Sequence, residues 1–156
     1  MTNFKNAIIL FLISMVPFVE LRGAIPVGRA MDLPFWECVG ISIIANMMPV
    51  PFIILFIRKI FNFFRRKNLF VNGIDWLEKR VMKKSEKVKK SEAVGLAIFV
   101  GIPLPGTGAW SGALLAALLD IRMKTAIPAI FAGIVIAGFL VGGVTYGSLK
   151  FLAWIL

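Results

Sequence analysis

Glu20 and Arg22 stand two residues apart in an otherwise apolar stretch, Val16-Pro17-Phe18-Val19-Glu20-Leu21-Arg22-Gly23-Ala24-Ile25-Pro26-Val27-Gly28. Left alone near the middle of a bilayer, each charge costs several kcal/mol, so such residues pair or face a wet cavity. Pro17 and Pro26 bound the motif and point to a non-helical segment. If that segment is extended, side chains two apart face the same way. The acid and the guanidinium could then bond each other and lock a hairpin, or face one cavity together. Both could instead snorkel to the interface. Arg22 is a permanent cation able to hold phosphate or carboxylate through two bonds. Glu20 can carry a coupling proton, because burial favours its neutral form and a neighbouring cation its anion.

A second break reads Gly101-Ile102-Pro103-Leu104-Pro105-Gly106-Thr107-Gly108-Ala109-Trp110-Ser111-Gly112 and has no ionisable group. Its chemistry is that of the backbone. Glycine permits positive φ and close approach. A half-helix starting near Thr107–Trp110 would aim free N–H groups at the membrane centre, an anion site by dipole and geometry. Thr107 and Ser111 add hydroxyls for capping or ligand contact. The same residues would also serve as a tight turn packed on its twin. The segment lacks the Gly-Lys-Ser/Thr ending of a phosphate-binding P-loop. Asn46 lies inside an apolar span and could bond the carbonyls of a broken hairpin or a substrate.

Composition narrows the chemistry. His is absent and Cys38 is the only cysteine. No metal site, cofactor or His-based catalytic set is expected, and the chain does not read as an enzyme. With 59% hydrophobic residues, the 156-residue chain reads as one integral membrane domain. The net charge of +10 is concentrated: residues 58–92 hold 12 of the 18 Lys/Arg against 4 of the 8 Asp/Glu. A basic block between two apolar halves fits the positive-inside rule, not nucleic-acid binding. Residues 58–92 are therefore expected to be cytoplasmic. Within them Asn72 and Asp75 suggest a capped helix. Phe61, Phe63, Phe64 and Phe70 among Arg65, Arg66 and Lys67 suit an interface of anionic lipid, or simply a solvated topology signal. The start of the chain imitates a signal peptide. No small-x-small site precedes Pro17, and the stretch runs on into the Glu20/Arg22 motif.

These residues need elements to position them. Ala7–Val19, Ala93–Pro103 and Ala109–Leu119 are apolar runs of about 11–13 residues, or ~16–20 Å of helix, too short to cross a ~30 Å core. Pro34–Ile57 and Thr125–Gly147 are long enough, the first bent by Pro49 and Pro51. The halves align without a gap at an offset of 88, placing Pro17 on Pro105, Ala24 on Gly112 and Asp32 on Asp120. Asp32 and Asp120 read as N-caps of the helices that follow. Counting cations on each side gives 14 to 3 for re-entrant hairpins and for four full spans alike. Length favours the hairpins. The expected fold is all-α and membrane-embedded, with two inverted repeats (about 7–57 and 93–147), each a re-entrant hairpin followed by a transmembrane helix. A basic helical linker over 58–92 joins them.

The Glu-Leu-Arg-Gly-Ala-Ile-Pro string, Asn46 and Pro103-Leu104-Pro105-Gly106-Thr107-Gly108-Ala109-Trp110 resemble the small multidrug export protein family over essentially the whole chain. More distantly the chain resembles the DedA/VTT superfamily, with two re-entrant hairpins in inverted repeats. That second resemblance implies translocation of polyprenyl phosphate or phospholipid. Its members usually carry an Arg near the second Pro-Gly turn, where the nearest cation along this sequence is Arg122. The resulting expectation is a multi-pass secondary transporter of the inner (cytoplasmic) membrane with a midplane site. Substrate binding or coupling would involve Glu20, Arg22, Pro26, Asn46, Pro103, Pro105, Gly106, Thr107, Gly108 and Trp110. Expected partners are membrane lipids, a small-molecule or lipid-phosphate substrate and a second copy of the chain, because two spans are few to bury two hairpins. A lipid flippase or scramblase and a non-transporting assembly factor are the rival readings.

Overall fold

The computed structural model describes residues 4–17, 19–66, 92–104 and 106–155, without the side chains of 61, 62, 64–66 and 148–155. Pro105 and the proposed linker helix beginning at Asn72 lie outside the described residues. All regular structure among the described residues is helical: α1 (Phe4–Met15), α2 (Glu20–Ala30), α3 (Phe35–Met47), α4 (Val50–Arg66), α5 (Glu92–Gly101), α6 (Ala109–Leu118) and α7 (Met123–Ile155). Phe35–Ile60, made of α3 and α4, and Met123–Gly147 are each apolar and long enough to cross a membrane. The helices α1, α2, α5 and α6 hold 10–12 residues each. At 1.5 Å per residue that is ~15–18 Å, short of a ~30 Å core.

The breaks follow from local chemistry. Pro17 removes a backbone donor and biases Val16 away from helix, so α1 stops at Met15. Pro103 ends α5 at Gly101 in the same way. Pro49 and Pro51 remove the donors that the carbonyls of Ala45 and Met47 would meet, and α3 gives way to α4 there. Past that turn α4 runs unbroken to Arg66, so the first nine residues of the expected linker continue the helix.

One expectation fails at the first break. The Glu20–Ala30 segment is helical, with Pro26 inside it, not extended. The irregular stretch shrinks to the residues between Met15 and Glu20. Glu20 starts the new helix with φ +48 and donates its N–H back to the Val16 carbonyl at 3.1 Å. Residues two apart on a helix diverge, so Glu20 and Arg22 do not pair with each other.

Helix starts recur 88 residues on: Phe4 with Glu92 and Phe35 with Met123. The bonds recur too. Leu33 N–H donates to the Gly28 carbonyl and Ile121 N–H to the Ala116 carbonyl, each at 3.0 Å. Between them Asp32 has φ +60 and Asp120 φ +52. These are left-handed closures of α2 and α6, so both aspartates end the preceding helix. They are not N-caps as the sequence suggested; Pro34 holds that position before α3.

Packing crosses between the halves. Within each half the first short helix lies on its own spanning helix, α1 on α3 and α5 on α7. The second short helix also reaches the span of the other half: α2 lies between its own α3 and α7, and α6 lies on α4. The two spans meet where Gly142 faces Phe35 and Val39, and a Cβ there would come within 2.8 Å of the Phe35 ring. Gly143 beside it faces open space. Leu10, Ile25, Ile54, Leu96, Ile130 and Ile134 are fully buried in the core. Against lipid, shape-matched packing holds such a core more than hydrophobic transfer does. The fully buried Ser14 and Ser42 bond each other at 3.2 Å.

The far ends are also tied in matching places. Arg58 donates to the Ile121 carbonyl and lies 3.6 Å from the Asp120 carboxylate. Tyr146, 88 residues after Arg58, donates its hydroxyl to the Leu33 carbonyl at 2.6 Å. The start of α1 meets the end of α2, where Asn6 donates to the Met31 carbonyl at 3.4 Å.

Candidate functional site

The two breaks face each other, and each charged side chain of the first attends one end of the second. The helix α6 begins after Gly108, which has no side chain to cap it. Its orphan N–H groups need an acceptor. Glu20 supplies it: the Trp110 N–H donates to Glu20 Oε1 at 3.1 Å, across 90 residues of sequence. An anion at a helix N-terminus also meets the positive end of the dipole. Glu20 is 6% exposed, so this is a bond held away from bulk water.

Arg22 takes the other end. Its guanidinium donates to the carbonyls of Leu104 and, at 3.2 Å, Ile102, and to Thr107 Oγ1 at 2.8 Å. Those carbonyls follow the C-terminus of α5, where a cation suits the dipole. Thr107 has one proton to share between the Ile102 oxygen at 2.7 Å and the Leu104 oxygen at 2.9 Å. Thr107 N–H returns to the Leu104 carbonyl at 3.2 Å, and Gly106 takes φ +82. The second break is thus a compact polar knot with a cation at its centre. The cation missing from its own sequence comes from the other half of the chain.

Gly108 shows how close the breaks are. Its φ is +147, and a Cβ added there would run into the Glu20 carboxylate. Gly108 lies 88 residues after Glu20. The acid of one half therefore rests on the glycine that holds its place in the other.

A cavity of about 770 Å³ opens beside this contact. Glu20, Arg22, Thr107, Trp110 and Ser111 give it a polar side, and Ile53, Phe56, Ile57 and Leu114 an apolar one. That volume suits a small organic molecule. Of the residues expected at the site, Glu20, Arg22, Pro103, Gly106, Thr107 and Trp110 line the cavity, and Gly108 sits beneath the carboxylate. Pro105 lies outside the described residues. Two others are elsewhere. Pro26 is exposed on α2, and Asn46 is fully buried and donates to the Ser42 carbonyl one turn back at 2.9 Å. Asn46 bonds neither a hairpin carbonyl nor the cavity. Sequence reading missed the α4 wall of Ile53, Phe56 and Ile57, which looks like any lipid-facing surface. The repeat offers a faint signal, since α4 belongs to the span that α6 must pack upon.

Two membrane-length helices, with two pairs of short helices whose breaks meet beside a cavity, define a helical membrane protein. Residues 20–140 match the family described as "Putative small multi-drug export protein", and the chain belongs to that family. No curated protein and no solved structure matches the chain.

Proposed function

We propose that the chain is a secondary transporter of the cytoplasmic membrane that exports small amphiphilic molecules through the cavity between the two breaks. The observation that carries this is the 770 Å³ cavity with a carboxylate and a guanidinium on one wall and aliphatic and aromatic side chains on the other. The family description speaks of export and not of catalysis. In this reading the halves are inverted repeats, each a re-entrant hairpin followed by a transmembrane helix. Supporting it are the short lengths of α1, α2, α5 and α6, the 88-residue recurrence of helix starts and the crossed packing. The basic connection then lies in the cytoplasm, together with the Arg58–Asp120 end. A homodimer completes the burial of the hairpins.

Glu20 is the proposed coupling group. Protonation would weaken its hold on the α6 N-terminus and so link proton entry to separation of the breaks. The test is uptake of a fluorescent amphiphilic cation into proteoliposomes under an imposed pH gradient. Wild type should accumulate the probe and Glu20→Gln should not. Retained gradient-driven uptake by Glu20→Gln would remove the coupling role, and no uptake by wild type across a panel of amphiphiles would remove export.

Lipid-phosphate translocation is the weaker reading. A phosphate would have to draw Arg22 from the three oxygens it already serves. ATP-independent flipping of a labelled phospholipid that is lost in Arg22→Lys would favour it over export.

A further inference from the structure

Outside the cavity, α4 carries a second concavity that the transport reading does not use. This groove of about 640 Å³ is lined by Met15, Met48, Phe52, Leu55 and Trp110, with Lys59 at one end. Lys59 is its one charged group. Phe52 and Phe56 stand 70% and 64% exposed along it, so it opens sideways from the helix bundle. From Pro49 to Lys59 the helix climbs about 15 Å at 1.5 Å per residue. That is the depth of one leaflet of a ~30 Å core. The deep end sits at the level of the breaks, where Met15 closes α1 and Trp110 opens α6. The shallow end emerges at the basic segment 58–92.

We propose that this groove is a binding site for an anionic phospholipid, one acyl chain lying along Met48, Phe52 and Leu55 and the phosphate meeting Lys59. The groove has the length of one chain in one leaflet. Its polar chemistry is a single cation at the head-group end, complementary to a phosphodiester. A second copy of the chain fits less well. A dimer axis along the membrane normal through this groove would set Lys59 against Lys59 at equal depth. The groove shares Ile53, Phe56 and Trp110 with the cavity, so a seated chain backs the cavity's outer wall. The inference does not depend on what the cavity transports.

Trp110 gives the readout. The full chain carrying Trp36→Phe, Trp76→Phe and Trp154→Phe keeps it as the sole tryptophan. It is reconstituted into phosphatidylcholine vesicles doped with mid-chain dibrominated phosphatidylglycerol or dibrominated phosphatidylcholine. The anionic quencher is expected to reach half-maximal quenching at a several-fold lower mole fraction. Adding Lys59→Gln should bring the two lipids to parity. Native mass spectrometry of the otherwise unaltered chain provides a second reading: phosphatidylglycerol retained over phosphatidylcholine, with the preference lost in Lys59→Gln. Equal quenching with Lys59 present, no quenching, or a preference unchanged by Lys59→Gln would overturn the site. So would an efficient Phe52→Cys cross-link between copies in the membrane, which would put a second chain on the groove.

Discussion

The two helix breaks hold matching places 88 residues apart, yet one contributes side chains and the other backbone. Around Glu20 the chain turns and presents an acid and, two residues further, a guanidinium. At Ile102–Gly108 it presents carbonyls, amides and one threonine hydroxyl. Neither break is complete alone. The second has an N-terminus on α6 with no cap of its own and carbonyls after α5 that share one threonine hydroxyl, and the first carries the two charges that bond them. A protein with identical halves could not do this. An acid at both position 20 and position 108 would put two carboxylates in one space, since even a Cβ on Gly108 meets Glu20. The contact at the centre of the molecule requires the halves to differ where they touch.

The comparison breaks most easily at Gly108. Gly108→Leu forces a side chain into a left-handed φ and against the carboxylate, with about 1–3 kcal/mol for the backbone alone. It should largely abolish folded protein in detergent, as seen by size-exclusion recovery. Gly40→Ala, where a Cβ meets nothing within 4 Å, should leave recovery unchanged or improve it by up to about 1 kcal/mol.

The next largest effect falls on Arg22. Arg22→Ala strips three oxygens of a charged donor and should cost about 2–3 kcal/mol in thermal unfolding. Arg22→Lys should recover only part, because an ammonium lacks the fork that spans two carbonyls and a hydroxyl.

The two outer ends sharpen the same lesson on a smaller scale. Arg58 and Tyr146 hold equivalent carbonyls, one with a charged donor and an acid nearby, the other with a neutral hydroxyl. Arg58→Gln should therefore destabilise more than Tyr146→Phe, which removes one neutral bond worth about 1 kcal/mol. Equal losses would mean that the Asp120 contact adds nothing, as happens for exposed ion pairs. Smallest of all is Asn46→Leu. Asn46 bonds within its own helix and its Oδ1 is buried without a partner. A similar-sized apolar side chain should leave uptake unchanged and stability within about 1 kcal/mol.

The two membrane-length runs, the places of both breaks and the 88-residue offset were legible because Pro, Gly and long apolar runs act locally. The partnership across the breaks was not. The acceptor for Trp110 lies 90 residues away, and no local pattern names it. Pro26 misled, since proline usually stops a helix and here sits seven residues into α2 as an exposed member. Asp32 and Asp120 misled for a subtler reason. Aspartate favours N-caps and tolerates the left-handed region, and the residue type alone does not separate the two uses. Asn46 shows the limit for site residues: an amide in a span invites a ligand role, but a carbonyl one turn back satisfies its donor equally well.

The most direct test of the reciprocal caps is an exchange of the two charges, Glu20→Arg with Arg22→Glu in one chain, read as the thermal unfolding midpoint beside each single change. If Glu20 serves the amides of α6 and Arg22 the carbonyls after α5, the exchange puts cation on donors and anion on acceptors. The doubly altered chain should then lose at least as much as the two single losses together, about 2–3 kcal/mol each. A midpoint restored to near wild type would mean that the acid and the guanidinium serve each other, and the reciprocal capping of the second break would be wrong.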